Sequence, residues 1–286
     1  MKGYQYMKKY RIDKTRNIGN VIFVVEGGRA QSGGTELRLL KKIFVDVLDY
    51  EVQELRRGSD EFIGHGKNPQ FRVFALNLPK NQLTQLTETA MDEIFRRLRE
   101  EFNIKPEDCP VFFLYDRDVL SYKLNELRVN YIKKYTDPYG TTEGDQGQLL
   151  LSYPAIESFL LSCIMDDTVN LSCKMGQDVK NLLSNKIWDD NTVDKTDQHT
   201  KTVDKVFSTV NYEAEKQLIH AINEMDNGLE SMNIQTYDLD NLAPTLLNVY
   251  DYQQQSYKEK ETFSLISLVG MALLELGVIV ECDDEI

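Results

Sequence analysis

The stretch VIFVVEGG, from Val21 to Gly28, decides the fold. Its first five residues are all β-branched or aromatic, and no polar residue interrupts them. An unbroken apolar run of this length is typical of a strand that is buried on both faces of a parallel sheet. The run stops at Gly27 and Gly28, and Glu26 stands directly before them. We therefore predict a buried parallel strand with a carboxylate at its carboxyl end.

Strands and helices alternate on the carboxyl side of this stretch. The further predicted strands are Gln70–Pro79, Pro110–Asp118 and the start of Gly147–Met165, which continues through a proline into an apolar helix. The predicted amphipathic helices are Thr35–Val52 with Thr35 as its N-cap, Thr84–Phe102 and Ser121–Tyr135. Such alternation implies a parallel sheet with right-handed crossovers. The predicted fold class is therefore α/β, a Rossmann-like parallel sheet flanked by helices.

The pattern changes at about Asp166, where helical segments with polar joints replace the alternation. We predict two lobes, with residues 1–165 as the α/β domain and residues 166–286 as a mainly helical acidic domain. The predicted elements of the second lobe are the helices Val179–Trp188, Tyr212–Asn227 and Phe263–Leu276 and the exposed polar loop Asp189–Lys205. The apolar stripe of the last helix is predicted to pack in the core, with a homodimer interface as the alternative.

The net charge of −13 is unevenly distributed along the chain. Residues 1–165 hold 24 Lys and Arg against 23 Asp and Glu, whereas residues 166–286 hold nine lysines, no arginine and 23 acids. Because Arg and Lys bind backbone phosphates, any nucleic-acid surface is predicted in the first lobe. The basic segment 1–20 is either a solvated arm or a phosphate-binding one. The acidic lobe either docks on a basic partner or serves solubility.

Composition argues against several protein classes. No stretch approaches the roughly 20 apolar residues that span a bilayer, and no apolar run follows the basic start, so we expect a soluble cytoplasmic protein. Four cysteines are scattered without a CxxC pair and three histidines stand alone, which signals neither a disulfide framework nor a zinc site. The chain lacks a GxxxxGK(S/T) motif, so any nucleotide-driven control has to come from a partner.

Carboxylates follow two of the predicted strands. Glu26 ends the first, and Asp116 and Asp118 flank Arg117 at the end of Pro110–Asp118. Ligands gather at the carboxyl ends of an open parallel sheet, and period-two geometry points both aspartates one way and Arg117 the other, towards packing. Oxygen ligands suit Mg²⁺. Either motif alone is commonly an ordinary strand end. Together they favour a metal site, because carboxylates beside buried strands carry a desolvation cost.

These motifs resemble the Toprim domain, which topoisomerases, primases, OLD-family nucleases and several bacterial defence nucleases share. The resemblance covers roughly Ile18–Met165, with Val24-Val25-Glu26-Gly27 after the first strand and Asp116-Arg117-Asp118 after a later one. Gly34-Thr35-Glu36 is similar to the Thr-Glu element of the nuclease branches, displaced by an inserted loop. Ser152–Ser162 is similar to the apolar helix with an inward glutamate found late in RloB-like and DUF4435-type Toprim proteins. Glu157 is therefore the fourth acidic candidate; the alternative is a glutamate in the first turn of a helix, where the helix dipole favours it.

The Toprim resemblance implies a site that binds one or two Mg²⁺ ions, with Mn²⁺ as the alternative. The implied metal ligands are Glu26, Asp116 and Asp118, with Glu36 or Glu157 completing the second position. The candidates for binding the non-bridging phosphate oxygens of a substrate are Arg29 and Lys123. A metal in such a site activates water and stabilises the attacking and leaving oxygens at the scissile phosphate.

The same resemblance implies an activity. The implied protein is a metal-dependent endonuclease, which acts as the toxic effector of a bacterial anti-phage defence system of the PARIS type. RNA, tRNA included, is the implied substrate, an ABC-type ATPase is the implied sensor partner, and a homodimer is the implied active form. DNA cleavage of the OLD type is the alternative. A catalytically inactive Toprim adaptor and a primase-like nucleotidyl transferase also stay open.

Overall fold

A computed structural model of the chain describes residues 10–26, 34–55, 61–77, 88–117, 131–140, 146–187, 203–207, 211–235 and 237–282. Its strands are β1 (Tyr10–Ile12), β2 (Asn20–Val25), β3 (Glu51–Glu54), β4 (Phe62–His65), β5 (Arg72–Asn77), β6 (Val111–Asp116), β7 (Thr136–Asp137), β8 (Gly147–Tyr153), β9 (Ser172–Cys173), β10 (Phe263–Ser264), β11 (Ile266–Ser267) and β12 (Ile279–Glu281).

The α-helices of the described residues are α1 (Thr35–Lys42), α2 (Glu88–Phe102), α3 (Glu157–Ser162), α4 (Gly176–Ile187), α5 (Asn211–Ser231), α6 (Ala243–Lys260) and α7 (Val269–Glu275). Of the helices described, none is long and apolar enough to cross a membrane.

Among the described residues, the main sheet has eight strands in the order β11-β8-β6-β2-β5-β4-β3, with β7 paired to β8 off that path. Its centre is parallel, because β2 pairs in parallel with both β5 and β6, and β6 with β8. The prediction of an α/β fold is confirmed, but the prediction of a purely parallel sheet is wrong at the edges. There β4 pairs antiparallel with β5, β3 with β4 and β11 with β8. The short turn 66–71 between β4 and β5 allows only an antiparallel pair.

The predicted first strand is the central strand of the sheet. Residues 21–25 of β2 are fully buried between two parallel neighbours, as an unbroken apolar run requires. The Phe23 ring stacks on the Phe112 ring of β6, with centroids 5.3 Å apart, and contacts the Phe44 ring at 5.8 Å. The predicted strands in Gln70–Pro79 and Pro110–Asp118 are confirmed as β5 and β6.

The predicted helix Thr35–Val52 is shorter than expected. Helix α1 passes into a π-helical turn at Ile43–Val47, and Asp49, with φ 59°, ends the helical path in the left-handed region. The chain then forms β3, which the sequence analysis missed together with β4. The Tyr50 ring packs edge-on against the Phe44 ring at 5.4 Å, so Tyr50, which the prediction placed within the helix, lies beyond the turn.

Other predicted helices of the first lobe are confirmed as far as they are described. Helix α2 accounts for residues 88–102 of Thr84–Phe102. In Gly147–Met165 the predicted strand, proline and apolar helix are β8, the cis proline Pro154 and α3. For Ser121–Tyr135, residues 121–130 lie outside the described residues, and residues 131–132 are helical.

In the part of the chain that the structure describes, the second half pairs with strands of the first half at two places. Strand β11 joins the edge of β8, and β12 pairs antiparallel with β1. The predicted helix Phe263–Leu276 is wrong in its first part, which forms β10 and β11, while α7 supplies the rest. Its predicted core packing is confirmed, because residues 263, 266 and 269 are all buried. The division into lobes 1–165 and 166–286 stays a prediction.

Helix α6 was missed because its buried face is partly polar. Gln253 lies on that face with no exposed surface, where an apolar residue would complete the helical pattern. Its amide group donates to the Ser264 carbonyl at 2.9 Å and accepts from the Ser264 amide at 3.0 Å, so both polar ends are satisfied by β10. The predicted helices Val179–Trp188 and Tyr212–Asn227 are confirmed as α4 and α5. In the predicted loop Asp189–Lys205, residues 203–205 are helical and residues 189–202 lie outside the described residues.

Candidate active site

Glu26 and Asp116 lie side by side at the carboxyl ends of β2 and β6. The parallel register sets Val25 opposite Leu114, and the Glu26 amide donates to the Leu114 carbonyl at 3.2 Å. The two carboxylates therefore leave adjacent strands at the same edge of the sheet, where loops and helix starts meet. The structure brings these two predicted residues together.

Asp116 is tied to the start of α3. Its Oδ1 accepts a hydrogen bond from the Ile156 amide at 2.7 Å, so the strand end and the helix start are held in register. The next residue, Arg117, turns the other way: its amide donates to the Ser152 carbonyl at 2.8 Å, and its buried guanidinium lies 5.7 Å from the Phe263 ring centroid. This agrees with the packing role predicted for Arg117.

Glu157 is the first residue of α3 and is 3% exposed. Its Oε1 accepts a hydrogen bond from the Thr35 hydroxyl at 3.3 Å and lies 3.7 Å from the Lys180 Nζ. Its Oε2 is buried, and within the described part of the chain it has no hydrogen-bond partner. A buried carboxylate oxygen without a partner carries a desolvation cost, so this atom lacks a cation or donor.

Glu36 reaches the same place from the first turn of α1 and is 7% exposed. The predicted N-cap role of Thr35 is wrong, because Gly34 occupies the N-cap position and no side chain caps the helix. The Thr35 hydroxyl instead donates to Glu157. Thr35 therefore joins α1 to α3 across the strand ends, and it brings the neighbouring Glu36 close to Glu157.

These acids perturb one another. Burial and then repulsion from Glu157 and Glu26 raise the pKa of Glu36 to about 8. The pKa of Asp116 is also raised well above its usual range, by burial first and then by repulsion from Glu36, Glu157 and Glu26. The four carboxyl groups thus form one electrostatic unit, which we call the acid cluster: Glu26, Glu36, Asp116 and Glu157.

Lys180 is a member of the site that the sequence analysis missed. It lies on α4, in the acidic second half of the chain, and its ammonium is the partner of Glu157. Burial lowers the pKa of Lys180, but attraction to Glu157, Asp116 and Glu36 outweighs burial and raises it. Lys180 is one of nine lysines in residues 166–286, and only the packing of α4 on the site distinguishes it.

Other predicted site residues cannot be placed. Three of the predicted site residues lie outside the described ranges: Arg29, Asp118 and Lys123. The arginine-rich helix α2 does not present a free basic face, because its arginines pair with carboxylates. The pairs, given as donor to acceptor, are Arg96 with Glu100, Arg97 with Glu61 and Arg99 with Glu107.

Oxygen ligands are abundant in the acid cluster. Throughout the described ranges, no three Asp, Glu, His or Cys side chains converge closely enough to hold a metal ion as they stand. The donor set nevertheless fits a hard divalent cation: it is made of carboxylates, it is crowded with like charge, and the Glu157 Oε2 is buried without a partner.

No protein-family model, no curated protein and no solved structure matches this chain. Its function therefore has to be inferred from the acid cluster and from the motifs that form it.

Proposed function

We propose that this chain is a Toprim-type, metal-dependent endonuclease. The observation that supports the proposal most directly is the acid cluster itself. Four carboxylates from separate elements, namely β2, α1, β6 and α3, meet at the carboxyl ends of a parallel sheet centre. Strand ends of this kind are where open α/β sheets bind ligands. A structural role alone does not explain why two carboxyl groups, those of Glu36 and Glu157, are buried beside two others.

The residues that would hold the metal are Glu26 and Asp116, with Glu36 and Glu157 at the second position. Mg²⁺ and Mn²⁺ favour oxygen ligands and keep several waters, so a few carboxylates suffice. When bound, the ion supplies an activated water and stabilises charge on the attacking and leaving oxygens of a phosphodiester. The Glu157 Oε2 is the buried oxygen still in need of a partner.

The protein's own contribution is to hold the carboxylates in place. The Ile156 amide fixes Asp116, and the Thr35 hydroxyl fixes Glu157, so neither carboxylate has to be oriented by substrate. With a pKa of about 8, Glu36 carries a proton at neutral pH in the metal-free protein. It can therefore exchange a proton within the pH range in which nucleases work.

The biological context follows from the Toprim resemblance alone. In this proposal the chain is the toxic effector of an anti-phage system, cuts RNA such as tRNA, and acts as a homodimer after release by an ABC-type ATPase sensor. The sequence has no GxxxxGK(S/T) motif, which is consistent with an ATPase supplied by a partner.

The proposal is tested in cells that express the chain with its neighbouring genes. The variants are Glu26→Gln and Asp116→Asn, and the matched control is Glu93→Gln, an exposed glutamate of α2. After phage infection, total RNA ends are sequenced and genomic DNA integrity is measured. We expect new RNA ends with the wild type and with the control, and none with the two site variants.

The other outcomes are informative. Broken DNA with intact RNA would favour the OLD-type alternative. Equal protection from phage by the wild type and both site variants would refute the nuclease proposal and favour an inactive adaptor.

A further inference from the structure

The second half of the chain delivers one basic side chain into the acid cluster. Lys180 of α4 lies 3.7 Å from the Glu157 Oε1, and its side chain is about one-third exposed, against 3% for Glu157. It acts on more than one acid, because its attraction also favours the charged forms of Glu36 and Asp116. Lys180 therefore belongs to the cluster and is not an incidental surface lysine.

Helix α4 is fixed in the position that this contact needs. Val179 and Leu183, on either side of Lys180, are buried in the core. The Asp178 carboxylate accepts hydrogen bonds from two backbone amides just before the helix. At the helix start Gly176 allows a close approach, because a Cβ there would lie 3.0 Å from the Ala155 Cβ. Since Ala155 directly precedes Ile156, the backbone donor to Asp116, α4 packs directly on the site.

The Lys180 ammonium and a divalent cation would compete for the same carboxylate, because Lys180 lies at the Oε1 of Glu157 and the ion would take the Oε2 that lacks a partner. Both need Glu157, whose Oε1 is already engaged by Thr35 and Lys180. Two positive charges a few ångströms apart in a partly buried site repel strongly, so an ion that binds the cluster must move the ammonium away.

We propose that Lys180 is the resident counter-ion of the acid cluster, which holds Glu157 in place in the metal-free protein and is displaced by the incoming metal ion. Lys180 is thus a positioning residue that sets the metal concentration at which the site fills. This inference rests on the proposed function, because it takes the cluster to be a metal site.

Direct Mn²⁺ binding tests this inference without measuring nuclease activity. Purified full-length wild type, Lys180→Met and Lys186→Met are titrated with Mn²⁺, and free Mn²⁺ is followed by electron paramagnetic resonance. Lys186 is the matched control because it is an exposed lysine of the same helix. We expect the Kd of Lys180→Met to fall about tenfold or more, because a competing charge is gone. The Kd of Lys186→Met should equal that of the wild type.

An unchanged or weaker affinity in Lys180→Met would overturn the counter-ion role while leaving the metal site intact. Absence of Mn²⁺ binding by the wild type would instead refute the proposed function, and the inference with it. If Lys180→Met fails to fold, Lys180→Gln serves the same titration, because it also removes the charge.

A second readout separates positioning from simple packing. In EDTA at pH 8, Lys180→Met should have a lower Tm than the wild type, because Glu157 loses its counter-charge. Adding Glu157→Gln in the Lys180→Met background should restore Tm, since the buried charge that Lys180 neutralises, that of Glu157, is then gone. A double variant no more stable than Lys180→Met would mean that Lys180 only packs, and would contradict the proposal.

Discussion

Replacing Glu36 by glutamine should stabilise the metal-free protein. The pKa of Glu36 rises from 4.5 to about 8 on folding, because burial and the neighbouring carboxylates disfavour its charge. The folded state therefore holds its proton where the unfolded state has lost it, and stability falls as pH rises from 4.5 through about 8. Glutamine keeps the shape of the side chain and its acceptor oxygen but carries no charge, so it removes this loss.

The magnitude follows from the size of the shift. One pKa unit corresponds to about 1.4 kcal/mol, so the raised pKa of Glu36 lowers the stability of the folded state by about 3 kcal/mol at pH 7 and about 1 kcal/mol at pH 5. Glu36→Gln should recover most of this, which corresponds to a rise in Tm of about 6 °C at pH 7. The measurement is urea unfolding in EDTA at pH 5, 7 and 9, followed by circular dichroism.

The control for this experiment is Glu93→Gln, whose exposed side chain should leave stability within about 0.5 kcal/mol of the wild type at each pH. Addition of Mg²⁺ should reduce or reverse the advantage of Glu36→Gln, because the wild type alone keeps all four carboxylates for the ion. A difference between Glu36→Gln and the wild type that stays constant from pH 5 to pH 9 would refute the electrostatic account of the acid cluster.

Two further predictions concern the scaffold of the site. Gly147→Ala should destabilise the protein by about 3 kcal/mol or more, because Gly147 has φ +128° and a Cβ there would lie 2.0 Å from the Phe113 Cε2; urea unfolding within 0.5 kcal/mol of the wild type would contradict this. His220→Gln should destabilise more at pH 6 than at pH 9, by about 1 kcal/mol or less. Burial lowers the pKa of His220, but bonds to Asp166 at 2.8 Å and to the Ser162 carbonyl at 2.6 Å outweigh it and raise the pKa, so the stabilisation is lost as pH rises. An equal effect of His220→Gln at both pH values would show that the imidazolium is not the stabilising form.

Local patterns in the sequence were sufficient to predict the centre of the sheet and the acids at its edge. A run such as β2 is apolar at every position, so its burial on both faces can be inferred without knowing its neighbours. Because parallel strands end at one edge, the approach of Glu26 to Asp116 follows from strand assignment alone. Glu36 and Glu157 came from motif resemblance, and the structure brings them to the same place.

What the sequence could not show depends on long-range partners. Gln253 looks like a break in a helical pattern until β10 is known to satisfy its amide group. The antiparallel edge strands are short, and β3 is largely exposed, so neither an apolar run nor a strict alternation identifies them. Lys180 is one of nine lysines in the acidic half, and only the packing of α4 on the site distinguishes it from the others.

The position of Lys180 changes the meaning of the charge asymmetry. A half with no arginine and a net charge of −14 should repel phosphates, and this suggested a role remote from the acid cluster, in docking or solubility. Yet the same half places an ammonium against Glu157 and a strand, β11, against β8, the strand next to Asp116. A partner that binds the acidic half and shifts α4 would move Lys180 relative to Glu157. Under the proposed function, docking on that half would alter the metal affinity of the proposed site without the partner touching the acid cluster.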